Sequence, residues 1–429
     1  MKLIKSLFLL ILASYLAINL SAEGRFSKPE FETEYQQPLT TAPAADAGFM
    51  DILDICLLFI GLTLASYFSL KKRYRRGIFY LTIFSVLYFG FYRKGCVCSV
   101  GSVQNIALAM GNAAYVLPVT VGILFLMPLT FTLFFSRSFC SSICPLGAVQ
   151  DLLSYKPIKI PTSISKVLGL IPYIYLGFSF LIAFTNSDFI ICRYDPFINI
   201  FRLHAGFQQI IYSVAFVILS ILIARPYCRF LCPYGVLLGW MSKLSPHRVT
   251  ITPCECIQCK LCENSCPFDA IVKPSPDKIP ETRNQGVKRI TILLILIPVM
   301  MFVSGFALSR LDNLLSRINS KVRLSHQIML EDEGTITETT LETRTFRSQI
   351  KTVDELQQES QFIIQKYRIG GWILGTFLGL AFTFKLFTLS VHRKQEEYVT
   401  DPVNCFSCGR CWKSCPIEHK RLKEKSIDN

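Results

Sequence analysis

Histidine and charge are both scarce in this 429-residue chain. It has five histidines, and none falls inside a long apolar run: His204 and His326 lie in segments expected on one side, His247 and His419 in segments expected on the other, and His392 at the end of the last run. The pattern C-x2-C-H is absent. A haem held by two histidines in mid-bilayer and a covalently attached haem are thereby excluded, and no haem is expected. There is no Walker loop, no G-x-G-x-x-G behind a strand and no H-E-x-x-H, so hydrolytic and nicotinamide-dependent readings have no support. Charged residues make up only 17% of the chain, against about a quarter in soluble proteins.

What replaces charge is apolar bulk, 51% of the chain with 34 Phe, arranged in runs near the roughly 20-residue length of a membrane span. "MKLIKSLFLLILASYLAINLSAEG" reads as a signal peptide or first anchor helix over residues 1–22. A Pro-, Thr- and Ala-rich tether follows over 23–48. Seven further spans are predicted, at 49–70, 77–92, 115–136, 167–186, 209–225, 290–309 and 370–391. Starting outside, they put the connections 71–76, 137–166 and 226–289 and the C-terminal tail inside. With residues at the span ends included, these inner segments carry 27 Lys and Arg, against 6 in 23–48, 93–114 and 187–208. That bias orients the chain with its basic loops in the cytoplasm of a bacterial inner membrane. The net charge of +15 is therefore a topological signal, and no nucleic-acid partner is expected. The outer loop 310–368 balances nine basic against nine acidic residues, and two helical stretches in it suggest a small hairpin or stalk.

Seventeen cysteines remain to be placed. Residues 256–267 and 405–416 each read C-x2-C-x2-C-x3-C-P, which is half of a two-cluster ferredoxin. Three thiolates on a tight turn wrap three corners of a [4Fe–4S] cube, and the fourth cysteine of each run ligates the other cube. Two spans separate the halves, so both return to the inner face and can pair. One cube is expected on Cys256, Cys259, Cys262 and Cys415, the second on Cys405, Cys408, Cys411 and Cys266. Zinc more usually takes paired C-x2-C knuckles, and a reducing cytoplasm disfavours disulfides. Cys254 is surplus. The predicted architecture is an all-α transmembrane bundle (49–253) with a small α+β ferredoxin-like domain on the cytoplasmic side, its halves at 254–275 and 395–429.

Three segments resemble one another: "KGCVCSVGSVQN", "SFCSSICPLGAVQD" and "PYCRFLCPYGVLLG". The second and third share C-x3-C-P, as Cys140/Cys144 and Cys228/Cys232, and residues four apart share a helix face. Three readings of these four thiols stand open: a third metal or iron–sulfur site, redox-active thiols, or packing residues that dock the ferredoxin. Cys96, Cys98 and Cys192 are expected outside, either with a disulfide from Cys192 or as an outer redox or metal site. Cys56 lies within a span.

A polytopic core with two C-x3-C-P motifs, followed by C-x2-C-x2-C-x3-C-P runs, resembles the membrane polyferredoxins of the NapH and NosR type. The resemblance covers about residues 50–275 and the terminal motif. It implies electron transfer between a cytoplasmic donor or quinone and a periplasmic flavoprotein or cytochrome. A redox maturation or regulatory factor for a metalloenzyme is the alternative. The chain departs from the NosR pattern in lacking an S/T-G-A-T flavin-attachment motif. It departs from the simplest NapH pattern in having the spans 290–309 and 370–391 inside its ferredoxin.

Overall fold

A computed structural model describes residues 48–95, 97–154, 157–202, 206–251, 256–274, 283–336, 339–347, 352–390 and 397–427. The leader, nearly all of the tether, Cys96, His204, Cys254 and His392 lie outside the described residues. The described chain is a helical bundle with one two-stranded sheet.

Four helices are long and apolar enough to cross a bilayer: Gly48–Lys71, Thr162–Phe184, Arg283–Ser309 and Val353–Ser390. Pro196–Arg202 and Phe207–Leu222 form a fifth candidate if taken as one bent span. Val119–Phe135 is apolar but has only 17 residues, about 26 Å at 1.5 Å per residue. Predicted span 77–92 corresponds to helix Arg75–Ser85 and the π-turn Val86–Tyr92 that continues it. Phe49, Ile52 and Phe59 stand exposed on the first of these helices, and Phe79, Tyr80 and Leu87 on the Arg75–Tyr92 stretch. In water such a surface would aggregate; acyl chains cover it without cost.

The sequence reading left residues 93–114 as an outer loop. The structure instead builds a helix, Ser99–Gly111, whose Val100, Val103, Gln104, Ala107 and Leu108 are buried. Its many small residues make it look loop-like by composition, and they are also what lets it sink among its neighbours.

Arg283–Ser309 and Val353–Ser390 form an antiparallel hairpin held by glycine. A Cβ at Gly371 would lie 2.8 Å from the Leu308 carbonyl oxygen, one at Gly375 2.5 Å from the Gly305 Cα, and one at Gly379 2.6 Å from the Met300 oxygen. Glycines four apart on one helix thus meet backbone four apart on the other, the close approach that packs helices in lipid. Ser304 Oγ donates to the Gly375 oxygen at 2.6 Å across the seam. At 38 residues, Val353–Ser390 is about 57 Å long and overshoots a roughly 30 Å hydrocarbon layer. Its polar first turns pack with Ser320–Asp332, where Ile328, Phe346 and Leu356 make a separate small core. Helices Asp312–Ser316, Ser320–Asp332 and Leu341–Arg347 lie in the same segment, 310–368.

Candidate iron–sulfur sites

The two ferredoxin halves meet. Strand β1 (Ile271–Val272) directly follows the first half, and β2 (Val399–Thr400) directly precedes the second. They pair antiparallel, Ile271 opposite Thr400 and Val272 opposite Val399. Asp401 N–H donates to the Ala270 oxygen at 2.8 Å, and the Phe268 and Phe406 rings meet edge to face at 4.9 Å.

Both halves wrap the same way. Gln258 and Lys260 in the first take φ of 53° and 62°; Ser407 and Gly409, at the matching positions of the second, take 50° and 73°. Left-handed backbone costs a non-glycine residue about 1–2 kcal/mol. Three non-glycine residues accept that cost at the turns that bring cysteines inward, as expected where function imposes the shape.

Cys256, Cys259, Cys262 and Cys415 line one cavity, with Ile251, Ile257, Tyr398 and Ile417 as its apolar wall. Opposite them, the thiols of Cys405, Cys408 and Cys266 all act on the charge of Cys411. Each quartet therefore draws its fourth thiol from the other half. Burial pushes the Cys405 thiol up to about 12, with Cys408 and Cys266 adding to it, and burial raises Cys266 as well. Such thiols ionise when a cation arrives to hold them. Backbone N–H groups of Phe268 and Ala270 point at Cys266, that of Ser407 at Cys405 and that of Trp412 at Cys411, the donors an iron–sulfur group uses. The residues present fit iron–sulfur ligation. Among the described residues no three Cys, His, Asp or Glu close tightly enough for a single metal ion.

Arginines, Arg225 fully buried and the others partly, fasten this unit to the bundle. Arg75 donates to the Cys408 oxygen at 2.7 Å, Arg229 to the Pro267 oxygen at 3.2 Å, and Arg73 pairs with buried Glu418 at 2.9 Å. Arg410 of the second half meets Asp151 at 3.0 Å, and Arg225 meets the same carboxylate at 3.5 Å. Burial opposes ionisation of Asp151, but Arg225, Arg410 and Arg75 outweigh it and hold the carboxyl below its usual range. Loops 71–76 and 137–154 and the 225–251 segment thus all face the ferredoxin halves.

The C-x3-C pairs do not lie along one helix. Phe139–Ile143 is a π-turn and Pro226–Phe230 a short helix; Cys144 and Cys232 are extended and cap the next helices, Pro145–Leu153 and Pro233–Leu244. The following proline forces this, because it bars the residue before it from helical backbone. The four thiols converge all the same, since every pair among Cys140, Cys144, Cys228 and Cys232 is close enough to interact electrostatically. Cys98 lines a cavity with Cys144, Phe139, Ile198 and Phe201, nearer the C-x3-C pairs than an outer assignment implies. Cys192 lies beside Cys98, both thiols facing Gly101. Cys56 is exposed on the Gly48–Ser66 helix.

A family described as a 4Fe-4S binding domain matches twice, over residues 117–162 and 209–252. Among similar proteins, one from Methanocaldococcus jannaschii of uncharacterized role is 28% identical over 45% of this chain and 82% of its own length. YccM of Escherichia coli, assigned to electron transport, is 29% identical over 32% of this chain and 43% of its own. The regulatory protein NosR of Pseudomonas aeruginosa is 27% identical over 51% of this chain and 33% of its own. The chain is similar to NosR/NapH-type iron–sulfur membrane proteins. It spans less than half the length of YccM and of NosR. No solved structure matches.

The two family matches contain the C-x3-C-P pairs and stop short of both ferredoxin halves. Sequence reasoning missed the arginine three residues before each pair, Arg137 and Arg225, which are 4% and 0% exposed. The repeat R-x2-C-x3-C-P-x-G was there to be read, one step upstream of where the cysteines were aligned.

Proposed function

We propose that this protein carries electrons between a cytoplasmic donor or quinone and a periplasmic redox partner, with its ferredoxin halves on the cytoplasmic side. The observation that carries the reading is the exchange of fourth cysteines, Cys415 beside Cys256, Cys259 and Cys262, and Cys266 beside Cys405, Cys408 and Cys411. Bound cubes supply one-electron oxidation and reduction. The chain's part is to hold eight thiolates, to aim backbone N–H groups at the sulfurs, and to place Arg75, Arg137 and Arg225 where reduction adds negative charge. These donors favour the reduced state. Residues 97–104 and 190–198, with Cys98 and Cys192, form the region for exchange with an outer partner.

Cys266→Ser and Cys415→Ser test the assignment in full-length protein purified without oxygen. Each should perturb the paramagnetic signal of the cube whose other three ligands lie in the opposite half. A Cys266→Ser variant that altered only the Cys256, Cys259 and Cys262 cube would refute the crossed arrangement. Quinol-driven reduction of the signals in membrane vesicles is the expected functional readout. The regulatory name of the NosR relative supports a second reading, maturation of a metalloenzyme. It predicts that an already matured partner turns over normally without this protein.

A further inference from the structure

Lys385 stands where a charge is unexpected. It interrupts the apolar run "LAFTFKLFTLS" near the end of the Val353–Ser390 span. An ionisable side chain inside such a run is costly unless something holds it, and it marks a site whose partner has to be named. Lys385 is half-buried. Among the described residues no carboxylate pairs with it and no oxygen accepts a hydrogen bond from it. Its charge instead meets more of its own sign. Lys243 and Lys166 both act on it, and Asp401 is the one described carboxylate that does. The Asp401 oxygens are already engaged: Oδ1 accepts from Val403 N–H at 3.0 Å and Oδ2 from Asn404 Nδ2 at 2.6 Å.

Three separate elements bring these lysines together at the end of the bundle that carries the ferredoxin halves. Lys166 belongs to helix Thr162–Leu168, and Lys385 Nζ lies 3.6 Å from where a Cβ on Gly169, just behind that helix, would sit. Lys243 is in the last turn of helix Pro233–Leu244, its Nζ 4.9 Å from the centre of the Phe384 ring. Neighbouring Ser242 donates to the Pro402 oxygen at 2.9 Å. Arg229 joins Ser165 Oγ to the Pro267 oxygen, at 3.2 Å from each. This corner of the bundle thus touches both ferredoxin halves. Two turns further into the span, Phe377 meets Trp240 edge to face at 6.2 Å, and Trp240 meets Tyr173 at 6.2 Å. Trp and Tyr collect at the level where acyl chains give way to headgroups. Around the lysines Ile164, Val167, Leu244 and Phe384 are exposed, a surface that acyl chains cover without cost.

The ligand that suits this corner is an anion with apolar tails attached. Three like charges held together at a membrane boundary repel, and the low dielectric there strengthens the repulsion. A free phosphate would neutralise the lysines but leave the apolar rim against water, whereas a lipid phosphodiester answers both. We propose that Lys166, Lys243 and Lys385 bind the headgroup phosphate of one anionic phospholipid, seated where helices Thr162–Leu168, Pro233–Leu244 and Val353–Ser390 meet beside the ferredoxin halves. Basic sites between membrane helices hold anionic headgroups in this way. The proposal stands on the membrane spans and does not depend on the ligands of any cluster.

The test is native mass spectrometry of the full-length protein, delipidated in neutral detergent and titrated separately with phosphatidylglycerol and phosphatidylcholine. One phosphatidylglycerol should bind at least about ten-fold tighter than phosphatidylcholine, since each lysine beside an anionic headgroup contributes about five-fold. Inorganic phosphate in large excess should not displace it. Lys385→Gln should weaken phosphatidylglycerol about five-fold and leave phosphatidylcholine unchanged. Lys288→Gln is the control, because it removes the same charge from an exposed position at the same end of the neighbouring Arg283–Ser309 span. It should leave both affinities essentially as they are. If Lys385→Gln does not accumulate, Lys243→Gln takes its place with the same expected loss. Equal affinity for the two lipids, or displacement by inorganic phosphate, would overturn the proposal. So would equal losses in Lys288→Gln and the site variant, which would mean diffuse attraction of anionic lipid to basic loops.

Discussion

Replacing Arg225 by glutamine removes a fully buried charge, and its cost can be estimated from its partners. The guanidinium holds the Cys140 and Ser141 oxygens and the Asp151 carboxylate. It also lies over the Phe268 and Phe406 rings at 5.7 and 5.5 Å. Breaking a buried ion pair costs about 3–5 kcal/mol when its partner is stranded. Asp151 is not stranded, because Arg410 remains at 3.0 Å, and glutamine recovers about 1 kcal/mol by donating to one carbonyl. The expected loss is about 2–3 kcal/mol, concentrated where the ferredoxin halves meet the bundle. At about 1.4 kcal/mol per decade, local opening becomes roughly 30 to 140 times more frequent. Bleaching of the iron–sulfur absorbance by an excess of iron chelator measures that opening in detergent solution. Arg410→Gln is the control: its side chain is 19% exposed, and surface-side pairs contribute about 1 kcal/mol or less. It should accelerate bleaching only a few-fold. Equal rates for the two variants, or an Arg225→Gln rate like wild type, would refute the idea that Arg225 anchors the ferredoxin unit.

Gly375→Leu should separate the hairpin helices, since even a Cβ there would stand 2.5 Å from Gly305 Cα. Cysteine cross-linking of the Arg283–Ser309 and Val353–Ser390 helices in membranes should fall at least several-fold, whereas Gly286→Leu, where nothing lies within 4 Å, should leave it unchanged. Asp195 gives a pH signature. Burial lifts its carboxyl to about 6 against the donation of Phe197 and Ile198 N–H, so its contribution is intact below about pH 4 and is lost as pH rises through 6. Asp195→Asn, which still accepts both bonds, should raise thermal stability at pH 7.5 by up to about 3 kcal/mol and make no difference at pH 4. A stability gain independent of pH would refute this.

What the sequence disclosed were the features written in local spacing. The C-x2-C-x2-C-x3-C-P halves carry three cysteines within seven residues, and the structure brings the two halves together. Features created by long-range symmetry were not. Nothing in "SRSFC" announces that Arg137 will fill the space beside Gly235, because that contact exists only after two segments nearly a hundred residues apart have docked. The helix-face argument for C-x3-C failed on a single residue type, the proline after Cys144 and Cys232. The Ser99–Gly111 helix escaped notice because its small residues read as a loop until a bundle surrounds them.

The hairpin between the ferredoxin halves also sets a timetable. On the crossed arrangement proposed above, neither quartet is complete until Cys415 and Cys266 occupy the same side of the bilayer, and that waits on insertion of Arg283–Ser309 and Val353–Ser390. During synthesis the first half must remain an open three-thiol loop while both helices are threaded. Glycines 371, 375 and 379, far from any iron, thereby govern when the metal can be sealed in.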